Sequence, residues 1–273
     1  MLMISYFATL MFFIAGAAIG SFGCCQVWRI RKGDKSRWSH CMNCKYRLQW
    51  YDNVPIFSWL LLGGKCRKCR KPIGWAEFLA EIGTAAVFAL SYWFWPFGRL
   101  DFYAGVELFN GIKFALFLFL LACFVILFVY DAKWKEMPTN ILWASVAIGV
   151  AYALVTVIEK MIAGDMTAGD WLNMGGSLLI LPGFYFLLYK MSNERWVGGG
   201  DWILCLPLAL FVGDFWLSMF ILFGSNLIGS MVMLPVMSTK KGKKMKIPFG
   251  PFLIMAFLIV FFVQASILRM VSL

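Results

Sequence analysis

Phe114-Ala-Leu-Phe-Leu-Phe-Leu-Leu-Ala-Cys-Phe-Val-Ile-Leu-Phe-Val-Tyr130 is an unbroken apolar run, and it ends on Asp131. A run of this length has no polar side to show water, so it reads as a helix crossing a bilayer. Working outward, similar runs lie at about 4–27, 76–97, 140–158, 171–189, 216–237 and 251–271, the quoted run itself spanning about 112–130. A shorter one, 201–214, starts at Asp201. The whole chain of 273 residues is 62% hydrophobic and 14% charged, with a mean hydropathy of +0.77. Soluble domains are closer to half apolar. The expected fold is therefore an all-α polytopic membrane protein of about eight transmembrane helices. The first segment does not read as a cleavable signal, because it lacks a basic start and runs longer than a signal core.

Charge sets the expected orientation. Residues 29–75 hold twelve Lys or Arg against Asp34 and Asp52, a balance of +10. A second basic cluster, Lys240, Lys241, Lys243, Lys244 and Lys246, precedes the last apolar run. Excess Lys and Arg mark cytoplasmic loops. Threading eight spans between these clusters puts the N-terminus outside and the segments 131–139 and 190–200 inside. The acidic residues Asp101, Glu107, Glu159, Asp165, Asp170 and Asp214 then fall on the outer side. Orientation and attraction to anionic membrane lipid account for the basic loops, so no nucleic-acid partner is expected.

Three divisions follow: residues 1–28 as a first transmembrane helix, 29–75 as a small cytoplasmic module, and 76–273 as a transmembrane core. Pro182–Gly183 and Pro207 with Gly213 suggest broken or kinked helices. The middle module carries Cys41-Met-Asn-Cys44 and Cys66-Arg-Lys-Cys69, two CxxC pairs 21 residues apart. Brought together they offer four thiolates for one structural Zn2+. Neighbouring Lys and Arg favour the thiolate form, and a module this small needs a staple. Two disulfides or metal-free cysteines are the alternatives, the first disfavoured in the cytoplasm. His40 is a spare ligand or a solvated loop residue. Cys24, Cys25, Cys123 and Cys205 lie in apolar helices as packing residues.

Asp131 and Asp201 are the candidate catalytic residues. An ionisable side chain at a membrane border is expensive and points to function. Two carboxylates held close cannot easily both ionise and so share a proton, the arrangement of an aspartic protease. Val197-Gly-Gly-Gly-Asp201 supplies glycines that allow close backbone approach, and Asp131-Ala-Lys-Trp-Lys-Glu-Met-Pro138 turns from one helix into the next. Each Asp alone also suits a helix cap or a loop. Glu81, Glu136 and Glu194 read as ion-pairing or capping residues; Lys133, Lys135, Lys190 and Arg195 border the acids.

Taken in order, these residues resemble the type IV prepilin peptidase family, membrane aspartic proteases of the GxGD kind. The resemblance is carried by Gly20-Ser21-Phe22, the two CxxC pairs, Trp50-Tyr-Asp-Asn-Val-Pro55 with Ser58-Trp59-Leu60, and Glu81. Asp131 with Pro138, Gly198–Asp201 and Ile247-Pro-Phe-Gly-Pro-Phe252 complete it. It departs from the family pattern at Gly23-Cys24, Met42, Trp75-Ala76-Glu77, Thr139 and Ile203, none of them an aspartate or a CxxC cysteine. The resemblance implies a multi-pass protein of the bacterial cytoplasmic (inner) membrane that removes a short basic leader from prepilin or pseudopilin precursors, before a Phe-like residue. It implies Asp131 and Asp201 as the catalytic pair, and in many members N-methylation of the new terminus with S-adenosylmethionine. The alternatives are a methyltransferase that has lost proteolysis and a zinc-stapled, non-catalytic assembly factor for a pilus or secretion machine.

Overall fold

The computed structural model describes residues 2–34, 36, 38–98, 107–237 and 248–271. Asp101 and the cluster Lys240–Lys246 lie outside the described residues. The chain is nearly all helical: α1 (Leu2–Lys32), α2 (Phe57–Leu61), α3 (Trp75–Trp93), α4 (Leu108–Trp134), α5 (Thr139–Ala163), α6 (Ala168–Leu178), α7 (Phe184–Ser192), α8 (Gly199–Val212), α9 (Phe215–Met237) and α10 (Gly250–Val271). Six helical stretches among the described residues are long and apolar enough to cross a membrane: Ser5–Lys32, Leu108–Trp134, Thr139–Ala163, Ala168–Ser192, Phe215–Pro235 and Gly250–Met270. The other two expected spans correspond to α3, of 19 residues with Glu77 and Glu81 inside it, and the 14-residue α8.

Contacts divide the chain into two units, Met1–Trp93 and Phe94–Leu273. In the first unit α1 and α3 run antiparallel in one register. Tyr6 meets Trp93, Phe12 stacks on Tyr92 at 5.6 Å, and Trp28 Nε1 donates to Glu77 Oε1 at 3.4 Å. Gly20 makes the close crossing feasible, because a Cβ there would lie 2.8 Å from the Glu81 Cα. At 31 residues, α1 is about 46 Å long, against about 30 Å of hydrocarbon, so its basic last turn extends past the apolar layer. Within this unit the packing partner of α3 is α1.

In the second unit, α4 packs on α5 and α10, α5 on α8, and α9 on α10. The centre is aromatic: Phe117 stacks on Phe261 at 4.5 Å and Tyr152 on Phe211 at 4.0 Å. The break expected at Pro182–Gly183 takes the form of a single π-helical turn, Leu179–Gly183, joining α6 to α7. Proline has no N–H to donate, and a wider turn accommodates the gap without ending the helix. At Pro207 the helix is not broken: α8 runs through it and stops at Gly213, which caps the helix in the left-handed conformation (φ 56°).

Candidate functional site: a tetracysteine module and a buried acid pair

The cysteine module is built twice from one frame. In the first half the Cys41 amide donates to the Tyr46 carbonyl and the Lys45 amide returns to the Cys41 carbonyl. In the second the Cys66 amide donates to the Lys71 carbonyl and the Arg70 amide returns to Cys66. Lys45 and Arg70 occupy equivalent left-handed positions, with φ 58° and 57°. These two knuckles bring the sulfurs of Cys41, Cys44, Cys66 and Cys69 within 4.8 Å of one another. Cys41 Sγ lies 3.9 Å from Cys69 Sγ, and Cys44 Sγ 4.0 Å from Cys66 Sγ. Four sulfurs about 2.3 Å from a tetrahedral ion would stand about 3.8 Å apart. The cluster is thus dimensioned for one structural metal ion, and its cysteines are not paired as disulfides.

Charge within the cluster is uneven. The Lys71 amide and the Asn43 side chain donate to Cys69 and hold its thiol down to about 6. Cys44 also receives an amide, from Tyr46, yet desolvation and the other thiols push it up to about 11. His40 is not a fifth ligand: its Nε2 faces Asp34 Oδ2 at 3.5 Å. Around the cysteines, Arg67 Nε donates to the buried Asp52 at 2.6 Å, tying the second knuckle to the Trp50–Asp52 turn. Glu81 anchors the same loop to α3, accepting the Ile56 amide at 2.7 Å where Ile56 takes φ 65°. It acts as the capping group that the sequence suggested.

Asp131 and Asp201 come from different helices and are both buried, 4% and 9% exposed. Asp131 sits one turn before the end of α4. Its carbonyl accepts the amide of left-handed Lys135 at 2.7 Å, which closes the helix. Its Oδ2 accepts the Gly250 amide at 3.0 Å, at the first residue of α10. Asp201 lies in the first turn of α8, where its Oδ2 accepts the Gly198 amide at 3.1 Å. Each carboxylate thus faces the positive end of a helix. The two acids are within electrostatic reach of each other.

Gly250 is needed at its position, since a Cβ there would come 3.0 Å from Asp131 Oδ2. The sequence motif around Pro248–Phe252 pointed to this segment, but nothing in it identified the Gly250 amide as the partner of Asp131. Met137 went unmarked as well, though it lies against both Gly200 and Gly250. Glu194 accepts the Tyr189 hydroxyl at 2.7 Å, in keeping with a structural role.

This combination defines a class: a multi-pass helical membrane protein with a tetracysteine metal module and a buried pair of carboxylates on separate helices. Residues 14–95 match the family model described as "Bacterial Peptidase A24 N-terminal domain". Over 84% of its length the chain is 28% identical to a prepilin leader peptidase/N-methyltransferase of Dichelobacter nodosus, covering 72% of that protein. A protein of the same description from Vibrio cholerae is 26% identical, with 94% of this chain and 97% of that one covered. A type 4 prepilin-like proteins leader peptide-processing enzyme of Escherichia coli is 41% identical over 58 residues, 21% of this chain and 22% of that one. No solved structure matches. The chain is thus similar along most of its length to prepilin leader peptidase/N-methyltransferases, and its residues 14–95 carry the N-terminal domain of bacterial A24 peptidases.

Proposed function

We propose that the chain is a membrane aspartic endopeptidase that removes the basic leader of prepilin or pseudopilin precursors. The observation that carries this reading is the buried pair Asp131–Asp201, each acid fixed by one helix-terminal amide. Two buried carboxylates that repel one another hold one proton between them. The ionised member takes a proton from water, and the resulting hydroxide adds to the peptide carbonyl carbon. The protonated member hydrogen-bonds the carbonyl oxygen as it becomes negative. Collapse of the tetrahedral adduct breaks the C–N bond, and a carboxyl proton passes to the leaving amine.

In this reading the division made from sequence stands as follows: 1–28 a first span, 29–75 the metal module and 76–273 the peptidase core. The basic content of 29–75 supports a cytoplasmic location for that module and an N-terminus outside, in the inner membrane. Asp131 and Asp201 then lie on the cytoplasmic face, where a precursor presents its leader. Cys41, Cys44, Cys66 and Cys69 would hold one Zn2+, whose contribution is a cross-link between the two knuckles.

The names of the relatives pair peptidase with N-methyltransferase, which favours a second activity on the new amino terminus over a methyltransferase-only or assembly-factor role. Within the first unit a cavity of about 740 Å³ lies among α1, α3 and the loop. That volume suits a nucleoside-sized ligand such as S-adenosylmethionine. Trp28, Trp38 and Trp59 line it, together with Glu77 and Glu81. The Trp59 Nε1 is buried there with no hydrogen-bond partner among the described residues, so a donor stands ready for a ligand acceptor. When bound, S-adenosylmethionine supplies an electrophilic methyl group.

Mass spectrometry of a purified precursor incubated with the detergent-solubilised protein, with and without S-adenosylmethionine, tests both activities. Loss of the leader mass is expected, followed by a gain of one methyl when the donor is present. An intact precursor with folded protein and cognate substrate would refute the peptidase reading.

A further inference from the structure

The acid pair is almost fully buried, yet a peptide and a water must reach it, so something beside it has to move. The connection between α4 and α5 supplies one side chain that lies against the glycine beside each acid. Met137 runs past Gly200: a Cβ built on that glycine would lie 3.2 Å from Met137 Cβ, 3.3 Å from its Sδ and 3.4 Å from its Cγ. Its methyl end continues to Gly250, where a Cβ would meet Met137 Cε. Gly200 is the neighbour of Asp201, and the Gly250 amide is the donor to Asp131. One side chain therefore spans the backbone on both sides of the pair. Met137 is only half-buried. It is unbranched, so rotation about its three bonds can withdraw it without moving either glycine. Its own position is framed by the left-handed Lys135 on one side and by Pro138, the N-cap of α5, on the other.

We propose that Met137 is the movable cover of the acid pair, that the precursor displaces it on binding, and that its volume sets which side chain next to the cut is accepted. This inference rests on the peptidase reading above. Both glycines beside the acids then have a second reason to lack side chains: the thioether lies where their Cβ atoms would point. Met137 is a specificity-determining and gating residue that takes no part in proton transfer.

The test compares wild type with Met137→Ala, Met137→Val and Met137→Leu, using precursors whose first mature residue is Ala, Phe or Trp. A difference of one or two methylenes in an apolar pocket changes selectivity by about ten-fold or more. Met137→Ala should raise the ratio of kcat/KM for the Trp precursor over the Phe precursor by about ten-fold. Met137→Val should move it the same way by less, and Met137→Leu, of similar volume, should leave it near wild type. KM for the Phe precursor should fall in Met137→Ala, because no side chain has to be displaced. Melting curves show which variants are folded, and Met137→Val carries the comparison should Met137→Ala fail to fold. Wild-type cleavage with unchanged selectivity and KM in the folded shortened variants overturns the proposal and leaves the peptidase reading standing. Absence of wild-type cleavage overturns the peptidase reading itself.

Discussion

At the scale of single residues, the acid pair depends on amides contributed by glycines far away in sequence. The Gly250 amide reaches Asp131 across 119 positions. Gly250→Ala keeps the amide but puts a methyl 3.0 Å from the carboxylate oxygen, and displacement of a catalytic group by even 1 Å costs about 100-fold. Steady-state kinetics should show kcat falling by about that factor. Asp131→Asn and Asp201→Asn remove the shared proton without changing shape. Each should lower kcat by about 10²–10⁴-fold with little change in precursor binding, as measured by co-purification. Retained cleavage in both Asn variants would remove the basis for the mechanism. The acids themselves were legible in the sequence, because ionisable groups at the ends of apolar runs are conspicuous. Their partners were not, since a backbone donor leaves no trace in residue identity.

Among the elements, legibility followed the strength of local signals. The apolar runs foretold most of the long helices, because a span needs a length of apolar sequence whatever it packs against. The two CxxC pairs foretold the knuckles, but not their shared left-handed residue, which here is Lys45 or Arg70 rather than glycine. Prolines were harder to read. Pro182 and Pro207 carry the same chemistry, yet one lies in a π-turn and the other in a continuous α-helix. Neighbouring helices decide between those outcomes, and sequence order does not reveal them. The α1–α3 crossing gives an element-scale prediction. Gly20→Leu would drive a side chain into the backbone at Glu81, an overpacking cost of roughly 1–3 kcal/mol. The expected outcome is a lower melting temperature. Loosened register should also appear as faster hydrogen exchange in α1 and α3.

For the whole molecule, contacts divide the chain at Trp93–Phe94. The four cysteines belong to the first unit, and both aspartates to the second. Chelation, or Cys66→Ser, should therefore raise hydrogen exchange throughout residues 38–74 and leave the amides around Asp131 and Asp201 as protected as before. Residual hydrolysis at high precursor concentration should survive both treatments, read out as leader release. Complete loss of turnover at saturating precursor would instead place the metal in the chemistry.

Each aspartate has committed the same oxygen, Oδ2, to a fixed amide, one at the start of α10 and the other at the start of α8. Those bonds hold one oxygen of each carboxyl group in place and restrict the directions open to the other, Oδ1. In the proposed reaction water and carbonyl must meet along those directions. In that proposal the pair is chiral as well as acidic: it would present one face of the scissile peptide to attack and leave the mirror approach without a base.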